Sequence, residues 1–161
     1  MKMSGTGESV RGGPCMMSAT TRRFTMASVH RETLIECDPA AVWDAVRDVG
    51  AVHTRVAPGF LTGCRMEEAP LARVVSFANG MVARELIVDV DDAARRLVWS
   101  VVGGRLSHHN AVMQVHASGE RRTRVVWVAD LLPNELAGAI AGMIEQGLAA
   151  MKRTLEGRPV P

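Results

Sequence analysis

Six short strand-like runs follow one another between Phe60 and Leu131, with only brief turn-forming or charged stretches between them. Four of those stretches contain residue pairs typical of hairpin turns: Asn79-Gly80, Asp91-Asp92, Gly103-Gly104 and Ser118-Gly119. Because Asn, Asp and Gly tolerate the positive φ angles of tight turns, neighbouring runs are expected to pair as antiparallel hairpins. The predicted meander consists of Phe60–Glu67, Ala72–Ala78, Val82–Val90, Arg95–Val102, Leu106–Ala117 and Arg122–Leu131.

A strand and two short helices are predicted before the meander. The loose alternation of Met26–Cys37 is typical of a half-buried strand. Asp38-Pro39 then favours a helix start, because Asp can cap the first turn and Pro is tolerated at the first helical position. This helix is expected to end at Gly50, and Ala51–Ala57 is predicted to form a second short helix.

The longest helical pattern closes the chain. Apolar residues recur at three- and four-residue steps through Pro133–Gly157, with Asn134 as the expected cap. Gly138, Gly142 and Gly147 each cost about 1 kcal/mol inside a helix relative to Ala. They either let a sheet or a ligand come close, or they are simply tolerated in a well-packed helix.

A single domain accounts for most of the 161 residues. Residues 1–25 show neither strand nor helix periodicity, so we predict a disordered tail followed by a domain at 26–158. A formal net charge of +2 gives no argument for a nucleic-acid partner. No apolar run reaches the roughly 20 residues of a membrane helix, and no secretory signal is evident, so we expect a cytoplasmic protein without membrane insertion.

The order of these elements resembles the helix-grip fold of the START-like (SRPBCC) superfamily, the polyketide cyclase/dehydrase and lipid transport group. The resemblance covers roughly residues 27–157 and includes the opening Asp38-Pro39-Ala40-Ala41-Val42-Trp43, the strand-rich middle and the closing helix. It implies an α+β domain in which a curved seven-stranded antiparallel sheet wraps a long C-terminal helix. It also implies an internal cavity between the sheet and that helix.

A central stretch, from Asn79 to His116, is similar to plant abscisic acid receptors, in which two loops close over the ligand as gate and latch. By this resemblance, Asn79–Ala83 would form the gate and Gly103–Leu106 the latch. The latch is shorter than in those receptors, and the gate lacks its proline. Around Pro58–Cys64 there is also no lysine to anchor a carboxylate. The resemblance therefore implies the cavity and not the hormone.

Strand parity, set by the resemblance, predicts which side chains face the cavity. The predicted ligand-binding residues are Val75, Phe77, Met81, Trp99, Val101, Leu106, His109, Ala111, Met113, Val125, Trp127, Ile140, Met143, Ile144, Gly147 and Met151. Such a wall suits an irregular apolar ligand, and methionine adapts well to one. The same residues would also form an ordinary dry core.

Three polar residues are candidates for chemistry. His108 and His109 point to opposite faces of a strand, so His109 alone is expected to face the cavity, and the pair makes no metal site. His109 would act as a general acid or base, or would only hydrogen-bond at the pocket mouth. Glu85 and Arg73 would form a structural ion pair or orient a ligand, although solvated surface positions are the commoner outcome.

Two functions follow as hypotheses. The first is binding of a small hydrophobic or amphipathic ligand, of lipid, polyketide or isoprenoid type, in an internal cavity. The second is a polyketide cyclase, aromatase or dehydratase that uses His109 with Glu85 and Arg73. A third reading, an interaction domain that uses the outer surface, has less support. No cofactor is expected, and the sequence leaves open whether the protein forms a homodimer.

Overall fold

A computed structural model describes residues 26–157 of the chain. The predicted disordered tail, 1–25, lies outside the described residues, as does the last residue of the predicted domain. The described elements are β1 (Ala27–Ile35), α1 (Pro39–Arg47), α2 (Val52–Arg55), β2 (Leu61–Glu68), β3 (Leu71–Phe77), β4 (Val82–Asp91), β5 (Arg96–Val102), β6 (His108–Ala117), β7 (Thr123–Leu132), a 3₁₀ turn (Asn134–Leu136) and α3 (Ala137–Leu155).

The seven strands form one antiparallel sheet in the order β1-β7-β6-β5-β4-β3-β2. Strands β2 to β7 pair with their neighbours in sequence, so the predicted meander and its hairpins are confirmed. Strand β1 instead pairs with the last strand, with Ala27 opposite Leu131 and Ile35 opposite Thr123. The sheet curves around α3, and the predicted α+β helix-grip architecture is confirmed.

Helix α3 packs its apolar face against the sheet, where Ile144, Leu148, Ala150 and Met151 are buried in the core. Its charged face is tied to β1 by the ion pair between Arg31 Nε and Glu145 Oε1, 2.6 Å apart. These contacts hold the helix across one half of the sheet. The other half of the sheet faces α1, α2 and the cavity.

The first turn of α1 follows the sequence prediction, because Asp38 Oδ1 accepts a hydrogen bond from Ala40 N–H at 2.8 Å. The helix ends at Arg47, before the predicted stop at Gly50. Trp43 Nε1–H donates to Asp92 Oδ1 at 2.9 Å, and Arg47 pairs with the same carboxylate. The turn between β4 and β5 therefore fixes the position of α1.

The predicted cap at Asn134 is wrong. Its side-chain Oδ1 accepts a hydrogen bond from Ala27 N–H at 2.8 Å, while the 3₁₀ turn and α3 begin without a side-chain cap. Asn134 therefore anchors the start of β1 to the beginning of the closing helical segment. Such a contact joins residues more than a hundred positions apart, so helix-start patterns do not reveal it.

Candidate functional site

A cavity of about 470 Å³ lies between the sheet and α3. Strands β3 to β7 supply one wall, α3 supplies the opposite wall, and α1 and α2 close a third side through Val46, Val52 and Val56. This volume lies in the range of pockets that hold small molecules in other proteins. The lining is mostly apolar, and its polar side chains lie mainly on β3, β4 and β6.

Most of the predicted ligand-binding residues line this cavity. They are Val75, Phe77, Met81, Trp99, Val101, Leu106, His109, Met113, Trp127, Ile140, Met143, Ile144, Gly147 and Met151. Ala111 and Val125 do not line it, because both are fully covered by the hydrophobic core. Ala111 is a short side chain directly opposite Trp99, and Val125 lies between Val115 and Thr33.

The sequence did not lead us to expect apolar residues of the α1–α2 side in the cavity wall. Val46 belongs to the apolar stripe of α1, and Ala57, Phe60 and Leu61 follow α2 into the first strand of the meander. In the sequence, the apolar residues of the predicted helix recur at helical spacing, at Ala41, Val42, Ala45, Val46 and Val49. This spacing indicated a buried helix face, but it could not indicate that the face borders a cavity.

Arg73 and Glu85 form a buried ion pair in the cavity wall. Arg73 Nε lies 2.6 Å from Glu85 Oε2, and the two side chains are only 6% and 10% exposed. Arg73 Nη1 also donates to the carbonyl of Val49 at 3.3 Å, and its guanidinium lies 5.7 Å from the centroid of the Trp99 ring. The expectation of solvated surface positions for this pair is wrong, because the sheet and the loop after α1, which contains Val49, leave both side chains almost completely buried.

His109 lies where the ladder between β5 and β6 opens. Backbone pairing of these strands ends at Trp99 opposite Ala111, and the next free N–H, that of Val101, donates to His109 Nδ1 at 3.0 Å. An Nδ1 atom that accepts a hydrogen bond cannot carry a proton, so the proton of the neutral ring lies on Nε2. His109 therefore offers its Nε2–H as a donor, because the lone pair of Nδ1 already accepts from Val101.

Burial lowers the pKa of His109 below its ordinary value, and the nearby carboxylate of Glu85 offsets this only in part. The ring is consequently neutral at pH 7. A neutral ring with Nδ1 engaged and Nε2 protonated is poorly suited to general acid or base chemistry. The arrangement suits hydrogen-bond donation to an oxygen of a bound molecule.

This state of His109 makes a testable prediction. We expect imidazole NMR signals to show the proton on Nε2 and a pKa below about 6.5. Because the folded-state pKa is lowered, His109 stabilises the fold above the unfolded-state pKa. This contribution is lost as the pH falls through the folded-state pKa. A proton on Nδ1, or a pKa above about 6.5, would contradict the assignment.

Aromatic rings pack tightly against α3 at Gly147. Trp99 and Trp127 meet edge to face with centroids 5.3 Å apart, as do Phe60 and Phe77. A Cβ atom at Gly147 would lie 3.1 Å from the Trp127 ring and 3.2 Å from the Phe60 ring. Gly147 thus permits a close approach of sheet and helix. Gly138 and Gly142 have no atom within 4 Å of the corresponding Cβ position.

The two predicted loops border the cavity. Met81 of the Asn79–Ala83 segment lines it and is 38% exposed. Gly103–Leu106 also lines it, and Gly103 and Gly104 adopt positive φ angles of 83° and 66°. Strand β6 begins at His108, two residues later than predicted, so Leu106 belongs to the connecting loop. Roles as gate and latch stay predictions.

Residues 26–157 give little support for a metal site, a reactive thiol or a membrane-spanning helix. That range contains no group of three or more His, Cys, Asp or Glu side chains placed to hold a metal ion. Burial raises the pKa of the Cys64 thiol, which disfavours its reactive thiolate form. None of the described helices is both long and apolar enough to span a membrane.

Comparison with known proteins identifies the family. The model of the polyketide cyclase/dehydrase and lipid transport family matches residues 26–156. The chain belongs to this family. A search of curated proteins finds no match to this family member.

Solved structures share the fold of this family member. An NMR structure from Thermobifida fusca is 27% identical, with a TM-score of 0.67, and the match covers 80% of this chain and 90% of that one. The protein XoxI from Bacillus cereus is 17% identical, with a TM-score of 0.73, over 81% and 96% of the two chains. The di-domain ARO/CYC BexL of the BE-7585A biosynthetic pathway is 14% identical, with a TM-score of 0.70, over 81% of this chain and 47% of BexL.

Proposed function

We propose that the protein binds a small hydrophobic or amphipathic molecule of lipid, polyketide or isoprenoid type in the cavity between the sheet and α3. The observation that carries the proposal is the cavity itself, with a volume of about 470 Å³ and a mostly apolar lining. The family to which the chain belongs supports it, since its description includes lipid transport as well as cyclase and dehydrase activity.

The size of the cavity argues against the alternative of an ordinary dry core. Protein interiors are close-packed, and voids larger than a water molecule are few. A cavity also reduces stability in proportion to its volume, because the atoms that line it lose packing partners. A space of about 470 Å³ is therefore much larger than the voids that an ordinary dry core leaves.

A second candidate function, a cyclase or dehydratase, is favoured by the N–H donor of His109 in the cavity wall. Such a donor can polarise a substrate carbonyl and stabilise the negative charge that develops on its oxygen. In this role His109 would act by hydrogen bonding and not as a general acid or base, the other role that the sequence left open.

Mass spectrometry of the full chain tests the proposal. We expect native spectra of freshly purified protein to show a retained small molecule that denaturing spectra release. Incubation with that molecule should return it unchanged if the protein only binds it, whereas a dehydratase would return it lighter by one water. A protein that retains nothing, and that also fails to bind the neutral apolar dye Nile red, would contradict the proposal.

A further inference from the structure

A row of side chains crosses the cavity wall over four strands. Arg73 on β3 is directly opposite Glu85 on β4, and Glu85 is directly opposite Val101 on β5. The N–H of Val101 in turn donates to His109 on β6. Directly opposite residues of antiparallel strands share one face of a sheet, and all four residues line the cavity. We call Arg73, Glu85 and His109 the polar row.

The polar row is close to electrically neutral. The positive charge of Arg73 is matched by Glu85 at 2.6 Å, and His109 is uncharged at pH 7. The other charged side chains in the lining are Arg84, which pairs with Glu67 at 2.8 Å, and the exposed Arg105. A ligand that reaches the polar row therefore meets no unmatched charge there.

Each member of the polar row still has hydrogen-bonding capacity. Within residues 26–157, no hydrogen bond engages Arg73 Nη2, Glu85 Oε1 or His109 Nε2. Two of these atoms are donors and the third is an acceptor. A hydroxyl group both accepts and donates hydrogen bonds, so it complements such a set.

We propose, on the basis of the proposed function, that the polar row selects an uncharged ligand bearing a hydroxyl group and rejects a carboxylate of similar size. A hydroxyl oxygen accepts from Arg73 or His109 while its proton is donated to Glu85. A carboxylate would bring a second negative charge beside Glu85 in a buried site, where an unmatched charge is costly. A bare hydrocarbon would cover the unused polar atoms without pairing them.

Three probes that share one ring system separate the contributions of the apolar ring, the hydroxyl group and the carboxylate to binding. They are naphthalene, 2-naphthol and 2-naphthoate. At pH 7, 2-naphthol is neutral and 2-naphthoate is ionised. Titration of the full-length protein, followed by ¹H–¹⁵N NMR, gives both the Kd and the location of binding. The indole N–H signals of Trp99 and Trp127 report on the cavity, while Trp43, which donates to Asp92, serves as an internal control. We expect 2-naphthol to bind about tenfold more tightly than naphthalene, and 2-naphthoate to bind at least about tenfold more weakly than 2-naphthol.

The variant Glu85→Gln should reverse this selectivity. It keeps the shape of the side chain but leaves the charge of Arg73 unmatched, so 2-naphthoate should become the tightest of the three probes. Asp89→Asn is the matched control. It removes the same charge from the same strand, but Asp89 pairs with Arg96 at the surface, 3.1 Å away, outside the cavity lining. The selectivity of Asp89→Asn among the three probes should equal that of the unaltered protein.

The outcomes keep this proposal separate from the proposed function. Equal binding of 2-naphthoate and 2-naphthol by the unaltered protein would overturn the selectivity, while binding of naphthalene would still support an apolar ligand site. Failure of all three probes would overturn the selectivity, and it would overturn the proposed function as well only if the protein also retains no molecule and fails to bind Nile red. If Glu85→Gln does not fold, the double variant Arg73→Met with Glu85→Leu replaces it. That variant leaves only the Nε2–H of His109 to pair with the hydroxyl group, so the preference for 2-naphthol over naphthalene should fall well below tenfold. An unchanged tenfold preference would overturn the proposal.

Discussion

Replacing Arg73 with Met, with Glu85 left in place, is expected to lower the free energy of unfolding by about 3–5 kcal/mol. The substitution keeps an unbranched side chain in the wall. It removes the only positive charge that forms an ion pair with the Glu85 carboxylate within residues 26–157. Both side chains are almost completely buried, so water compensates poorly for the lost partner. Urea denaturation followed by circular dichroism measures the change.

Two controls show whether the loss comes from the unmatched charge. The double variant Arg73→Met with Glu85→Leu removes both charges, so most of the stability should return, because an apolar replacement of a buried ion pair is often nearly neutral. Arg96→Met breaks the exposed pair with Asp89 and should cost about 1 kcal/mol or less. If Arg73→Met lowers the free energy of unfolding no more than Arg96→Met does, the charges of Arg73 and Glu85 do not stabilise the fold through their pairing.

The meander could be predicted from the sequence because its determinants are local. Hairpin turns depend on residues such as Gly80 and Gly103, whose positive φ angles of 86° and 83° are those that the sequence led us to expect. Strand boundaries consequently agree with the prediction to within one or two residues. The pairing of β1 with β7 has no local determinant. The resemblance to the START-like superfamily implied a seven-stranded sheet, but we did not predict which strand β1 would pair with.

The cavity wall was predictable to the extent that it depends on strand parity. Parity placed Glu85 and Arg73 near the inner face, but it could not show that both would be enclosed. Their enclosure depends on the chain after α1, where the Val49 carbonyl accepts from Arg73. Ala111 and Val125 do not line the cavity for a similar reason. Strand parity predicts which face of the sheet a residue lies on, but not how completely other residues bury it.

The state of His109 also depends on a contact that the sequence does not show. The sequence predicted a cavity-facing histidine, and His109 does line the cavity. It did not predict that the ladder between β5 and β6 would open at Val101 and leave a backbone N–H for the ring to accept. Of the two roles that the sequence left open for His109, that one hydrogen bond favours hydrogen-bond donation over proton transfer.

Replacing Gly147 with Leu is expected to weaken binding of naphthalene on the order of 100-fold while the fold is retained. A Cβ atom at this position already lies 3.1 Å from Trp127 and 3.2 Å from Phe60. The rest of the Leu side chain must therefore enter the cavity or push these rings into it. The loss of packing is partly offset by the better helix propensity of Leu, so the domain should remain folded.

Gly142→Leu on the same helix is the matched control for this prediction. No atom lies within 4 Å of a Cβ at Gly142, and this residue is not part of the cavity lining. We expect this variant to gain about 1 kcal/mol of stability from helix propensity and to bind naphthalene unchanged. Equal weakening by both variants would point to a general effect on α3. Unchanged binding by Gly147→Leu would place the ligand outside the cavity between α3 and the sheet.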